Sequence, residues 1–310
     1  MLAWFNTWLS AMPGAVAQGM IWGIMAIGVY ITFKVLDIAD LTVDGSICTG
    51  MAVCAMLITK GVPVWLAMLI ATLAGMAAGA LTGIFLTFMG IQPILAGILT
   101  QLTLWSVNLK IMGKANQALP ARNYDLIVTS LKRPQAIAVL AIFSIALIGL
   151  LYWFFGTEYG ASLRATGCNV KMSRAQGINT ERNKIIGLAI SNGIVALSGA
   201  LLAQYSGKAD INDGRGAIVI GLAAIIIGEA IFSRISKNFI VRLFSVIVGG
   251  IIYYIVYQTV ICMKIDTDLL KMLSALVVAV FLAVPHWKKK YFSKKRMQSI
   301  PNDKEDGIGA

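Results

Sequence analysis

Between Gly61 and Leu109 the chain reads GVPVWLAMLIATLAGMAAGALTGIFLTFMGIQPILAGILTQLTLWSVNL, 49 residues without a lysine, arginine, aspartate or glutamate. A membrane-spanning helix needs about 20 predominantly apolar residues, so this run holds two. In hydrocarbon the backbone has no water to bond, which leaves helices or closed barrels as spanning structures. Barrel strands alternate apolar and polar residues over about 10 positions, and this run does not. Outward from it, residues 1–33, 134–157, 185–207 and 243–263 are equally free of charged side chains.

Composition agrees with that reading. The 310 residues are 58% hydrophobic and 13% charged, with a mean hydropathy of +0.79. Soluble domains carry about 25% charged residues. The sequence therefore predicts an all-α polytopic membrane protein with about nine hydrophobic helices, near 13–33, 45–59, 64–89, 91–112, 135–155, 185–206, 216–232, 239–262 and 269–285. The second and last are short for a full crossing, which predicts tilting, a break or thinned lipid. No separate soluble domain and no residue-level repeat is visible. Gly75, Gly79 and Gly83 recur every four positions, the small-residue pattern of close helix packing, within the protomer or against a second copy. Gly249-Gly250, followed by Tyr253, Tyr254 and Tyr257, reads as a flexible point with interface-seeking aromatics.

The net charge is +12, and six basic residues lie between Lys288 and Arg296. Next to a final apolar segment they read as a cytoplasmic stop facing anionic headgroups rather than as a nucleic-acid patch. This divides the chain into a transmembrane domain, 1–287, and a basic, polar cytoplasmic tail, 288–310. Counting back from an inside C-terminus places Arg234–Lys237, residues 156–184 and Lys34–Asp44 inside, and the N-terminus outside. Residues 113–133, with Lys114, Arg122, Lys132 and Arg133, then fall outside, against the positive-inside rule. That conflict predicts either a miscount of one span or a re-entrant passage near 91–112.

Several chemistries find no footing. The cysteines, Cys48, Cys54, Cys168 and Cys262, form no Cys-x-x-Cys pair, and His286 is the sole histidine, so neither a metal site nor a disulfide framework is expected. The first 33 residues lack a basic leader region and read as a retained helix. No P-loop occurs, so ATP and other cofactors are not expected on this chain. Serine, cysteine and histidine show no nucleophile context, which argues against catalysis.

Functional candidates are the polar groups set within apolar segments, because such groups are costly in a membrane. Asp37, Asp40 and Asp44 precede the second helix in Asp40-Leu-Thr-Val-Asp44-Gly45-Ser46; Asp44 reads as the cap of that helix. Glu229 follows Gly228 near Arg234, an ion pair or a coupling residue. Gln92, Gln101 and Asn108 interrupt the long uncharged run. Gln101 and Asn108 are placed to share a helix face, as are Thr100 and Thr103; they line a permeation path or bond neighbouring helices. Asp40, Asp44, Ser46, Gln92, Gln101, Asn108 and Glu229 form the candidate translocation and gating set.

The polar interruption after Gly156 carries the most specific pattern. It runs Thr157-Glu-Tyr-Gly160-x3-Arg164-Ala-Thr-Gly167-x-Asn169, then Ala175-x-Gly177-Ile178-Asn179-x3-Asn183-Lys184, then Ser191 and Leu197-Ser-Gly199-Ala. This resembles the permease subunits of bacterial ABC importers of the ribose and branched-chain amino acid type. The resemblance continues through Gly214-Arg-Gly216-Ala and Gly221-Leu-Ala-Ala-Ile-Ile-Ile-Gly228, and covers roughly residues 15–285. Glu229 stands where the family has a second glycine. Asp40 to Ser46, Leu95-Ala-Gly-Ile-Leu-Thr100 and Asn108-Leu-Lys-Ile-Met-Gly113 look like the subgroup associated with tryptophan and tyrosine.

The resemblance implies an inner-membrane permease, paired as a homodimer, that hydrolyses no ATP itself. A separate cytoplasmic ATPase dimer would supply the energy and an extracellular binding lipoprotein the substrate. It also implies a cytoplasmic coupling helix within 156–184, from Gly160 to Ile178. There Arg164 and Arg174 would pair with acidic groups of the ATPase, Gly167 and Gly177 would form turns at the ends, and Asn169 and Ile178 complete the segment. Three other readings stay open: a sugar, nucleoside or branched-chain amino acid as cargo; an ion-coupled secondary transporter using its carboxylates; and an intramembrane enzyme.

Overall fold

The computed structural model describes residues 2–120, 124–232 and 238–262, with isolated helical positions between 272 and 283. Residues 1–265 form one unit and 266–310 another. The ninth expected helix, 269–285, and the basic tail beyond 288 lie outside the described residues, apart from those isolated positions.

Among the described residues six helices are long and apolar enough to cross a membrane. α1 (Leu2–Tyr30) runs on through a π-turn, Ile31–Val35. The other five are α3 (Val64–Thr87), α4 (Pro93–Met112), α5 (Arg133–Gly156), α8 (Thr180–Ser206) and α10 (Phe239–Cys262). Two apolar helices are shorter: α2 (Val43–Thr59) and α9 (Ala217–Phe232). α6 (Glu158–Cys168) and α7 (Val170–Ala175) form a polar pair between α5 and α8. The protein is an all-α, multi-pass membrane protein, with 81% of the described residues helical.

The short helices are short because each completes a crossing that starts as irregular chain. α2 runs parallel to α8, with Ser46 at the level of Asn192 and Cys54 at that of Gln204. It thus begins halfway along α8 and continues to the end where α8 stops. Residues 36–42 climb to that start: the Leu36 side chain lies against Gly187, and Asp40 bonds Asn192. On the other side of the molecule, residues 211–216 descend from the opposite end to the start of α9. α9 then runs parallel to α1, Gly221 beside Met25 and Val29, and Glu229 beside Lys34. Each pair therefore joins a half-length helix from one half of the chain to a long helix from the other, and the two pairs run in opposite directions. Irregular backbone at membrane depth is tolerated where protein surrounds it, and these two passages are so placed. α4 is unbroken over Pro93–Met112, so the re-entrant chain lies in these passages and not near 91–112.

α1 and α8 are the most buried spans. Around α8, helices approach on glycine. A Cβ on Gly79 would strike the Leu188 carbonyl, and Gly75 and Gly83 face Asn192, Ala196 and Ile185. The four-residue glycine ladder of α3 thus packs inside the protomer. Gly249-Gly250 is a close crossing rather than a flexible point, pressed on Ala224, Gly19 and Gly23. Tyr253 and Tyr254 are correspondingly buried within the bundle, Tyr254 stacked on Trp22 with ring centroids 5.9 Å apart.

The two ends of the bundle differ. At one end the π-turn, α6, α7 and the ends of α8, α9 and α10 gather. At the other, β1 (Asn116–Ala118) pairs antiparallel with β2 (Lys208–Asp210), the Leu119 N–H donates to the Gly207 carbonyl, and Arg133 donates to the Ser10 carbonyl. The described parts of 113–133 therefore lie opposite 156–184, as the helix count has them.

Candidate functional site

The starts of the two half-helices meet at mid-depth, and Asp44 joins them. Placed in the first turn of α2, it accepts from Gly216 N–H and Ile218 N–H, each at 2.9 Å, at the start of α9. α9 has no acidic residue in its own first turn, so a carboxylate from another helix caps it and opposes its positive end. Sequence reading assigned Asp44 to its own helix; the helix it caps is α9.

Asp40 sits one turn below, 2% exposed. One of its carboxylate oxygens accepts from Thr42 N–H at 2.9 Å and the other from Asn192 Nδ2 at 2.7 Å. Ser46 Oγ donates to Asn192 Oδ1 at 2.6 Å. The Thr42, Thr82 and Thr100 hydroxyls then form a chain at 2.7 and 2.9 Å that ties the start of α2 to α3 and α4. Asn192 is the hub that sequence reading missed. Its signal was an amide at the centre of the charge-free run 185–207, where a polar group must find interhelical partners. Thr103 is exposed and bonds only its own helix at Leu99, whereas the buried Thr100 joins the hydroxyl chain.

Gln101 and Asn108 do share a face. With Asp44 they line a cavity of about 280 Å³ between α4, the start of α2 and the 211–216 passage. Gly45, Cys48 and Ile211 complete its floor, and the exposed Leu102, Trp105 and Arg215 form its rim. α4 exposes Thr103 and Ser106 among Leu99, Leu102, Trp105 and Val107, where the mid-span exposed residues of α5 are all apolar. Gln92 lies apart, exposed at the N-terminal end of α4, and Glu229 lies apart at the far end of α9. Glu229 pairs with Lys34 at 2.9 Å, linking the ends of α9 and α1; Arg234 lies outside the described residues.

At that same end, local chemistry shapes the 156–184 segment into two helices rather than one. Thr157 caps α6, accepting from Gly160 N–H, and Asn169 caps α7, accepting from Met172 N–H at 3.0 Å. Gly177 ends α7 with φ +81°, where a side chain would be strained, and Ile178 N–H returns to the Ser173 carbonyl. Gly167 makes no turn. It lies within α6, where a Cβ would collide with the Val35 carbonyl, so α6 rests directly on the end of α1. Asn183 of α8 donates to Ser162 and Thr166, fixing α6 from the other side. The arginines face inward as well as outward. Arg164 donates to the Phe155 carbonyl at the C-terminal end of α5, and Arg174 bonds Thr180 and Glu181 of α8. Outward this end presents Tyr159, Arg164 and Cys168 of α6 and Lys171, Met172 and Ala175 of α7, followed by Gln176.

A bundle of long apolar helices with two oppositely directed broken crossings, whose half-helix starts meet beside a cavity, is the architecture of a membrane transport protein. The family described as "Branched-chain amino acid transport system / permease component" matches residues 12–284, and the chain belongs to it. The protein is an ABC-type permease, a class in which the permease itself is not catalytic. It is 39% identical over 276 residues to the tyrosine transport system permease protein of Clostridioides difficile, covering 89% of this chain and 91% of that one. A fructose import permease protein of Bifidobacterium longum is 25% identical, over 78% of this chain and 68% of its own. The autoinducer 2 import system permease protein of Escherichia coli is 28% identical, over 60% of this chain and 55% of its own. No solved structure matches this chain.

Proposed function

We propose that the protein is the membrane path through which a bacterial ABC system imports an aromatic amino acid, tyrosine or tryptophan. The likeness to the tyrosine permease, near-complete over both chains, carries this reading. Two copies enclose the path. An extracellular binding protein delivers the cargo to the end bearing β1 and β2. An ATPase dimer docks in the cytoplasm on α6 and α7, and the C-terminus is on that side. Both carboxylates at mid-depth are engaged in holding the broken crossings together, which favours a structural role for Asp40 and Asp44 over ion coupling.

Proteoliposomes containing the chain, its ATPase and its binding protein should take up labelled tyrosine or tryptophan only with ATP inside the reaction. Uptake of leucine or ribose in preference would reject the cargo; uptake driven by an ion gradient without ATP would reject the class.

Docking makes its own prediction. Met172, 48% exposed between Lys171 and Arg174, is the apolar contact of α7. An interface anchor is worth about 2 kcal/mol, or roughly thirtyfold in affinity, when truncated or charged. Met172→Glu should weaken ATPase co-purification by about that factor while membrane insertion is unchanged. Arg164→Glu should impair transport differently, by placing an anion against the negative end of α5. An M172E chain that holds its ATPase as tightly as the parent would remove α7 from the interface.

A further inference from the structure

Asn108 is fully buried in α4, and among the described residues neither its amide nitrogen nor its amide oxygen has a hydrogen-bond partner. Buried amides are almost always paired, because an unpaired one forfeits its bonds to water without replacement. Its neighbours in the cavity wall are satisfied: Asp44 by the start of α9, and Cys48 by the Ile211 carbonyl. Asn108 belongs to that wall, and its unpaired amide lies enclosed just beneath the cavity surface.

We propose that this cavity is a transit subsite for the α-amino-acid head of the cargo, with Asn108 as the recognising amide; the proposal rests on the amino-acid import reading above. A side-chain amide offers donors on nitrogen and an acceptor on oxygen. An α-amino acid presents their complement on one carbon, a carboxylate that accepts and an ammonium that donates. Arg215 on the rim adds a guanidinium suited to a carboxylate, while the Asp44 charge lies on the same wall to favour the ammonium. Trp105 supplies a flat surface for an aromatic ring. A neutral sugar would leave Arg215 without an anion. At about 280 Å³ the cavity sits just below the roughly 300–1,000 Å³ of clefts for drug-sized ligands, room for a single amino acid.

The test is equilibrium binding of labelled tyrosine to the purified full-length chain with its ATPase, in the absence of the binding protein, together with thermal unfolding. Asn108→Leu should weaken binding by about tenfold, yet raise the unfolding temperature, since a similarly sized apolar side chain relieves the unpaired amide. Arg215→Gln, on the exposed rim, should abolish the preference for tyrosine over tyramine, which lacks the carboxylate. An N108L chain that binds as the parent does, or that unfolds earlier, overturns the subsite and assigns Asn108 a structural partner. If reconstituted uptake of tyrosine fails but leucine binds in an Asn108-dependent manner, the subsite stands and the aromatic cargo falls. If tyrosine uptake succeeds while both variants bind normally, the cargo stands and the subsite falls.

Discussion

Replacing Asp44 by alanine is expected to lower the stability of the purified permease by about 3–5 kcal/mol. The substitution strips the start of α9 of two part-buried carboxylate bonds, to Gly216 and Ile218 N–H. Each buried donor left unpaired costs about 1–3 kcal/mol, and the lost charge–dipole attraction adds up to about 2 kcal/mol in a partly buried setting. Asp44→Asn keeps the shape and one acceptor, and should cost less than half as much. Thermal unfolding of the three chains in one detergent orders them parent, D44N, D44A. A D44A chain as stable as the parent would mean that α9 holds its start without Asp44.

Gly50→Ala is the second large effect, and its sign can be set against a control. A Cβ at Gly50 would meet the Ala196 carbonyl, so α2 and α8 must part. Overpacking of this kind costs about 1–3 kcal/mol where side chains can give way, and backbone gives way least, which puts the cost near about 3 kcal/mol. Gly149 in α5 has nothing within 4 Å of its added Cβ. There the same substitution should be neutral or stabilise by up to about 1 kcal/mol, through helix propensity alone. G50A and G149A chains that shift in the same direction would show that helix propensity, not the α2–α8 contact, governs both positions.

The spans were legible because a charge-free run of 20 residues has few other fates, and the polar 156–184 segment stood out against them. The broken crossings were not. Leu36 to Thr42 has the mixed apolar and acidic character of an ordinary helix entry, and Asn212-Asp213-Gly214-Arg215 reads as a surface loop. Both reach mid-depth only because Asn192 and Asp44 meet them there, across separations of 152 and 172 residues that no local pattern encodes. The candidate residues were found more easily than their roles. Gly167 and Gly177 look alike in sequence; one turns the chain through positive φ, and the other admits a carbonyl from Val35. Asp44, Gln101 and Asn108 were each visible as costly polar groups, whereas their convergence on one cavity, together with Trp105 and Arg215, required the fold.

The bond between Asp44 and Ile218 joins residues 174 positions apart, and this has a consequence for biosynthesis. A ribosome adding about 5–20 residues per second needs roughly ten to thirty-five seconds to cover that interval. For all of that time α2 has emerged while neither its capping target on α9 nor, until Asn192 follows, the amide that engages Asp40 exists. The first half of the nascent chain is therefore made with Asp44 lacking both its α9 partners and with Asp40 held by Thr42 N–H alone, and these bonds are completed only when the second half arrives.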